Sequence, residues 1–497
     1  MITPSMTEKI RGVRVPSLMA FSSVRVQSRP IPALLALFML MVLLYRYWHV
    51  SGPAPELPLI ADLEQYFSDY PIQPPYKDTL GEVGRRLRVV GDWILAAEKT
   101  RDSTVKAALN LAIENTIAAH FPFLRDPLED TFDYESEQSF SPAPLAALRK
   151  SFKHGSAGIV IPCGEKTARF AGHLIVALRA VLRSKLPIQL VYAGDEDLSP
   201  STRAKLSLMV ASGPALEFLD ITSVFDDNSL DLRSGGWAIK AFAVLGSHYE
   251  RVILLDADSV FLQPPEVLLK HGAMLRTGAL LFHDRLLWKG AFKERHAWWR
   301  DQIRRPSPAM NASLVWTEDY AEEGDSGVVV VDKSRLDVLL GMIHVCWQNS
   351  KEVRDEVTYK ITYGDKESWW LGFELAGSKY EFEEHYAAII GWEGEDPEGR
   401  TKVCSFVIAH PDEKNKLLWY NGSLLKNKQL KHMLDVYEVP EKWMVDGEWQ
   451  KGAKKEDMSC MVGEEMRNVT LQETRILTKM IDRAQEVDAI LAEEDEV

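Results

Sequence analysis

The sequence is poor in cysteine. Its four residues of this kind, Cys163, Cys346, Cys404 and Cys460, are scattered over 497 positions. They are too few and too dispersed for a disulfide-built scaffold or a cysteine zinc site, and leave room for one or two disulfides if the chain is luminal. Cys163 follows a strand-like run and reads as readily as a buried free thiol. An excess of positive charge is also missing: 58 Lys and Arg against 72 Asp and Glu give a formal net charge of −14. That balance argues against a polyanion such as nucleic acid bound over a wide surface. There is no long internal repeat and no extended low-complexity tract. What remains is ordinary globular composition, 46% apolar and 26% charged, in a chain long enough for a large core and more than one structural unit.

Long hydrophobic runs are equally scarce, and the one present is at the N-terminus. Ile31 to Leu44 reads IPALLALFMLMVLL, followed by Tyr45, Tyr47 and Trp48, side chains suited to a membrane interface. Pro30 through Trp48 makes 19 residues, enough to span a bilayer. Lys9, Arg11, Arg14, Arg25 and Arg29 precede it with only Glu8 opposing, so residues 1–29 are expected to stay cytoplasmic and the body to face the lumen. The long basic leader and the absence of a small-x-small cleavage site favour an uncleaved signal anchor over a signal peptide. Sequons at Asn311, Asn421 and Asn468 agree with that topology.

Residues 49–78 are proline-rich and read as a stem. Residues 79–155 show helical periodicity (Val83, Leu87, Val90, Ile94, then Ala107 to Ala119), as in a helical hairpin. From 156 to 430, short apolar strands alternate with helices: Gly158 to Pro162, Leu186 to Val191, Leu216 to Leu219, the helix Trp237 to Leu245, and further strands at Gly278 to Phe282 and Gly327 to Val331. The expected fold is α/β, with a single Rossmann-like, mainly parallel sheet flanked by helices. Residues 431–497 read as a C-terminal extension ending in an amphipathic helix, Leu471 to Leu491.

One strand carries the chemistry. Val252-Ile253-Leu254-Leu255 is a buried-type run that ends in Asp256-Ala-Asp258. Ligands of open α/β sheets bind beyond the carboxyl ends of strands, and two aspartates there can hold a divalent cation that in turn holds a diphosphate. Taken alone, such aspartates more often cap the next helix or make a turn. Lys240 lies in an apolar helix, where it must either snorkel or meet an anion. Asp325-Ser326-Gly327 opens a strand of four valines, where the glycine lets a sugar approach the backbone; a plain turn is the alternative. Asp365 and Glu367 open a helix, and capping accounts for both unless Asp365 faces a reacting sugar. His410 ends the strand Phe406 to His410, where a neutral imidazole can complete a Mn²⁺ site.

In this order, the segments GIVIPCGEKTARFAGHLIVALR, YAGDEDL, WAIKAFAVLGSHYERVILLDADSVFLQPPEVLL, GDSGVVVVDK, YGDKESWWLGFEL and IAHPDE resemble the fungal α-1,3-mannosyltransferases of glycosyltransferase family 71. The lysine helix, Asp-x-Asp strand and late histidine are also similar to the glycogenin-type retaining GT-A transferases. The resemblance spans about half the chain and implies a GT-A fold, GDP-mannose as donor, a mannose-containing glycan as acceptor, Mn²⁺ as cofactor, retention of configuration and a Golgi location. It places metal and diphosphate binding on Asp256 and Asp258. By analogy it makes His410 the third metal ligand and Lys240 a donor contact. Ser326 and Gly327 then join the donor site, and Asp325 and Asp365 become candidates for sugar contacts or for the carboxylate facing the anomeric carbon. Two alternatives stay open: a UDP-sugar donor, and an inert luminal glycan-binding protein on the same fold. The acceptor loop is expected in Lys289 to Trp316, whose Trp298 and Trp299 either stack on sugars or simply pack.

Overall fold

In the computed structural model, residues 57–124, 143–210, 213–396, 398–429, 435–454 and 456–492 are described. The cytoplasmic tail and membrane anchor expected over residues 1–48 lie outside them. Among the described residues, no helix is long and apolar enough to cross a membrane.

Seven strands form the first sheet, in the order β3-β2-β1-β4-β7-β6-β8. They are β1 (Lys153–Pro162), β2 (Ile188–Tyr192), β3 (Leu216–Asp220), β4 (Tyr249–Leu255), β6 (Ala279–His283), β7 (Gly324–Asp332) and β8 (Glu381–Phe382), with β5 (Ser259–Phe261) set outside it. The first four run parallel, Ile159 of β1 lying opposite Ile188 and Ile253. β7 is antiparallel to both β4 and β6, so the sheet is mixed, though most of its pairings are parallel. Val252, Ile253, Leu254 and Leu255 have no exposed surface, as a strand covered on both faces requires.

A single sheet was expected, and a second one exists. β5 pairs with β12 (Leu417–Asn421), which pairs with β11 (Ile408–Pro411) and, through it, with β9 (Ala388–Glu393) and β10 (Lys402–Ser405), all antiparallel. Residues expected to form a C-terminal extension contribute β13 (Lys442–Met444), β14 (Glu448–Gln450), β15 (Ser459–Val462) and β16 (Met466–Asn468) to the same sheet. A Cys404–Cys460 disulfide ties β10 to β15, while Cys163 and Cys346 are buried free thiols. The terminal helix Leu471–Ala492 packs Leu477, Met480, Ala484 and Val487 inward, and its Asp488 accepts from Arg169 and His173 of the helix Glu165–Val176.

The helical hairpin is present as Leu80–Lys99 and Ser103–His120, with Asp102 capping the second helix through Thr104 N and Val105 N. Its first helix lies against the helices Leu336–Gln348 and Lys366–Ala376. A Cβ at Gly84 would come within 2.3 Å of the Leu375 carbonyl oxygen, so only glycine allows this approach. The packing fixes the Lys366–Ala376 helix, whose N-terminus faces the site. Within the expected stem, Leu57–Asp69 is a helix that buries Ile60 and Phe67.

Candidate active site

The chain passes from one sheet to the other through Asp256-Ala257-Asp258, which joins β4 to β5. Asp256 N donates to the Gly327 carbonyl at 2.8 Å, setting this joint beside the start of β7. Ser423 N and Gly422 N, just past β12, donate to the Asp258 carbonyl at 2.7 and 3.2 Å. Both sheets therefore hold the Asp-x-Asp segment.

Lys240 is the hub of the cluster. Its helix, Ile239–Gly246, is buried from Ile239 to Leu245, and the side chain is only 6% exposed. Its Nζ lies 2.7 Å from Asp256 Oδ1 and 3.7 Å from Asp365 Oδ1, and donates to Ser326 O and Oγ, each at 3.2 Å. The ammonium has met an anion rather than snorkelled. Burial opposes its charge, but Asp256, Asp365 and Asp325 outweigh burial and hold it above the ordinary lysine range. Burial raises the Asp256 carboxyl; Lys240 pulls it down, and Asp365 and Asp325 push it further up. One ammonium thus serves more carboxylates than it can neutralise.

Asp365 stands at the N-cap position of its helix without capping it; instead its carboxylate accepts from Trp369 Nε1 at 2.9 Å. Asp325 accepts from Gly327 N at 3.0 Å and lies 2.9 Å from His410 Nε2. Burial resists ionisation of Asp325, but His410 prevails and holds its carboxyl below the usual range. The His410 ring is fully buried, stacked on Trp419 at 4.4 Å between centroids, and its Nδ1 has no hydrogen-bond partner. Gly327 sits where a Cβ would meet Asn421 Nδ2 at 2.7 Å. The glycine thus lets β7 close on β12, which is a packing reason rather than a sugar contact.

The family model Mannosyl_trans3, of mannosyltransferases, matches residues 156–412. The chain belongs to this family. Alpha-1,3-mannosyltransferase MNT3 of Saccharomyces cerevisiae is 30% identical over 277 residues, covering 49% of this chain and 42% of that protein. Alpha-1,3-mannosyltransferase MNN1 of the same yeast is 26% identical over 356 residues, covering 61% and 44%. The matched stretch thus spans less than half the length of each relative. Among solved structures, the galactosyltransferase LgtC with donor and acceptor sugar analogues shares 14% identity, covering 43% of this chain and 69% of that one, at a TM-score of 0.28. Mouse xyloside xylosyltransferase 1 shares 9%, covering 45% and 82%, at a TM-score of 0.30. Both are too distant to carry detail of the site.

In this mannosyltransferase-family chain, the structure gathers Lys240, Asp256, Ser326 and Asp365, with Asp325 and Gly327 on the adjoining strand. It does not gather the expected metal set of Asp256, Asp258 and His410. Among the described residues, no group of three or more His, Cys, Asp and Glu side chains is arranged to hold a metal ion. His410 Nε2 is committed to Asp325, and Asp258 Oδ2 contacts Lys428 Nζ. Asp256 and Asp258 offer the hard oxygens a divalent cation takes, but each holds a lysine here.

Lys428 was missed in the sequence because Lys426-Asn427-Lys428 looks like a solvated loop. A second buried network was missed as well. Asp284 pairs with Lys366 at 2.5 Å and with Arg285 at 3.0 Å, and its carboxyl is held far below the usual range by these two cations against the effect of burial. Glu367, expected to cap its own helix, accepts from Glu323 N and Gly324 N at 3.0 and 3.1 Å and so fixes the entry to β7; burial and Glu322 push it up to about 8. Trp298 and Trp299 are not free to stack on sugars: they are 8% and 1% exposed, and Trp298 Nε1 donates to Lys77 O.

Proposed function

We propose that this chain is a GT-A-type mannosyltransferase of protein mannosylation that moves mannose from GDP-mannose to a mannose-containing glycan, forming an α-1,3 linkage with retention. We place it in the Golgi as a type II membrane protein anchored by residues 30–48, with its body in the lumen. The observation that carries the catalytic reading is the buried Lys240–Asp256–Asp365 cluster at the carboxyl end of β4, in a chain of the mannosyltransferase family. The Cys404–Cys460 disulfide supports the luminal placement, since such bonds persist in oxidising compartments.

The donor's diphosphate belongs beside Asp256 and Asp258. An anion is held there only if cations outnumber the carboxylates' demand. Lys240 and Lys428 are the protein's own. A divalent ion such as Mn²⁺, bound by Asp256 and Asp258, would supply further neutralisation of the leaving diphosphate. Ser326 joins the cluster through its contact with Lys240, which places it among the donor-binding residues of this reading. Asp325 and Asp365 carry fixed hydrogen bonds from His410, Gly327 and Trp369, which position their charge. That suits electrostatic stabilisation of an oxocarbenium-like transition state better than attack on the sugar. Retention then follows from same-face attack, with the departing phosphate accepting the acceptor hydroxyl's proton.

A donor-hydrolysis screen over nucleotide sugars, run with and without Mn²⁺ and followed by linkage analysis of the product, tests this. GDP-mannose is expected to be turned over and an α-1,3-mannoside formed. Preferential turnover of a UDP-sugar would sink the donor assignment. No hydrolysis of any donor, with no thermal shift on adding GDP and metal, would make the chain an inert glycan-binding protein.

A further inference from the structure

Two exposed aromatic side chains stand beside the buried cluster without a role in it. Trp237 is 47% exposed and Tyr363 is 61% exposed, and their ring centroids lie 5.3 Å apart at an interplanar angle of 48°. Each is tied to the site by a few residues of chain. Trp237 lies in the 3-10 turn Gly236–Ala238 that leads into the Lys240 helix, three residues before Lys240. Tyr363 lies two residues before Asp365, and Lys240 Nζ and Asp365 Oδ1 are 3.7 Å apart.

The pair is held from behind, and Lys366 Nζ lies 5.9 Å from the Tyr363 ring centroid. Gly364 has φ +67, and a Cβ there would fall 2.8 Å from Trp237 Cε3, so the loop lies directly against the indole and only glycine fits. Tyr359 backs Trp237 edge-on at 6.4 Å, and its own hydroxyl is anchored on Asn349 Oδ1 at 3.0 Å. Large aromatic surfaces kept rigid yet exposed beside a polar site mark a ligand contact. A pyranose ring has an apolar face of C–H groups that lies on such a ring, while its edge hydroxyls stay free to point elsewhere.

We propose that Trp237 and Tyr363 form the acceptor subsite, stacking the terminal pyranose of the acceptor glycan so that one of its hydroxyls points into the Lys240–Asp365 cluster. This rests on the transferase function proposed above. The aromatic pair takes the place of Trp298 and Trp299, which are buried.

The test uses the purified full chain, GDP-mannose and α-linked mannobiose as acceptor. Trp237→Ala and Tyr363→Ala should each raise the acceptor KM by about tenfold, the size of one lost ring contact, with the donor KM changed by less than about twofold. Tyr363→Phe should restore the wild-type acceptor KM, because the ring and not the hydroxyl makes the contact. An unchanged acceptor KM in both alanine variants overturns the proposal. So does a rise confined to the donor KM, which would mean that the rings stack on the nucleotide base. If the wild-type chain transfers from no nucleotide sugar, the proposed function has failed, and tryptophan-fluorescence titration with mannobiose then judges the subsite alone. A saturable change lost in Trp237→Ala supports it, and no saturable change overturns it.

Discussion

Replacing Lys240 by methionine isolates the electrostatics of the cluster, because methionine keeps most of the apolar volume in a fully packed helix. The ammonium that lies 2.7 Å from Asp256 and 3.7 Å from Asp365 is removed, leaving a buried Asp365 and an Asp256 whose side chain is 18% exposed without it. Stripping one partner from a buried ion pair costs about 3–5 kcal/mol, whereas a volume-conserving swap alone costs less than about 1.5 kcal/mol. Lys240→Met should therefore lose about 3–5 kcal/mol near pH 7, read as the shift in urea midpoint multiplied by the slope. The pH dependence has a definite sign. Asp256 already titrates above its unfolded value, and without Lys240 it moves higher still. The folded variant then takes up a proton before the unfolded chain does, so its stability rises as pH falls through the folded value and is fully regained below the unfolded one. In the wild type, Lys240 titrates above its ordinary range, so its contribution is intact throughout this acidic window and is lost only at alkaline pH. Lys240→Met/Asp256→Asn should recover at least about half the loss, since the uncompensated charge goes with its partner. A single variant within about 1 kcal/mol of wild type, or a double no more stable than the single, would refute this account of the cluster.

Three further outcomes are expected. Asp258→Ala should cut donor turnover by at least about a hundredfold with an unchanged circular dichroism spectrum, because its side chain is 16% exposed and pairs with the surface-reaching Lys428; near-normal turnover would remove Asp258 from the donor site. Replacing Cys404 and Cys460 by serine opens a 56-residue loop and should cost about 4 kcal/mol, checked by comparing the melting temperatures of the variant and the wild type under oxidising conditions; coincident melting would show that the bond adds nothing. Trp299→Ala should cost about 3–5 kcal/mol in urea unfolding while leaving the acceptor KM of the surviving folded enzyme unaltered, since the indole is 1% exposed; an acceptor-specific effect would return this residue to the acceptor site.

Features with a local cause were legible in the sequence. The β4 strand and its two aspartates, the helical hairpin and the terminal helix all announce themselves by period or by a polar residue at an apolar run's end. Lys240 was legible as a lysine with too much apolar company. Features made by distant partners were not. The Leu57–Asp69 helix hid behind a proline-rich composition, yet Pro58 sits in its first turn, where proline removes no hydrogen bond. Strands β10 to β16 are three to five residues long, too short for alternation to separate them from loops.

The site shows the same division. Asp325 and His410 meet across 85 residues, and Asp258 and Lys428 across 170, with nothing in either neighbourhood to signal the other. The reason is topological: Asp256-Ala257-Asp258 is the joint between two sheets, so its surroundings come from β7, β12 and the chain beyond β12 at once. That placement also decides what the joint can bind. Asp256, Asp325 and Asp365 crowd one buried ammonium, and Lys428 is occupied by Asp258. A diphosphate entering this ground would meet net negative charge unless it released Lys428 from Asp258 or brought a cation of its own. Donor affinity should therefore rise steeply with divalent cation. The slope should flatten in Lys428→Met if release of this lysine is part of binding, and be unaltered if Lys428 only anchors the loop after β12.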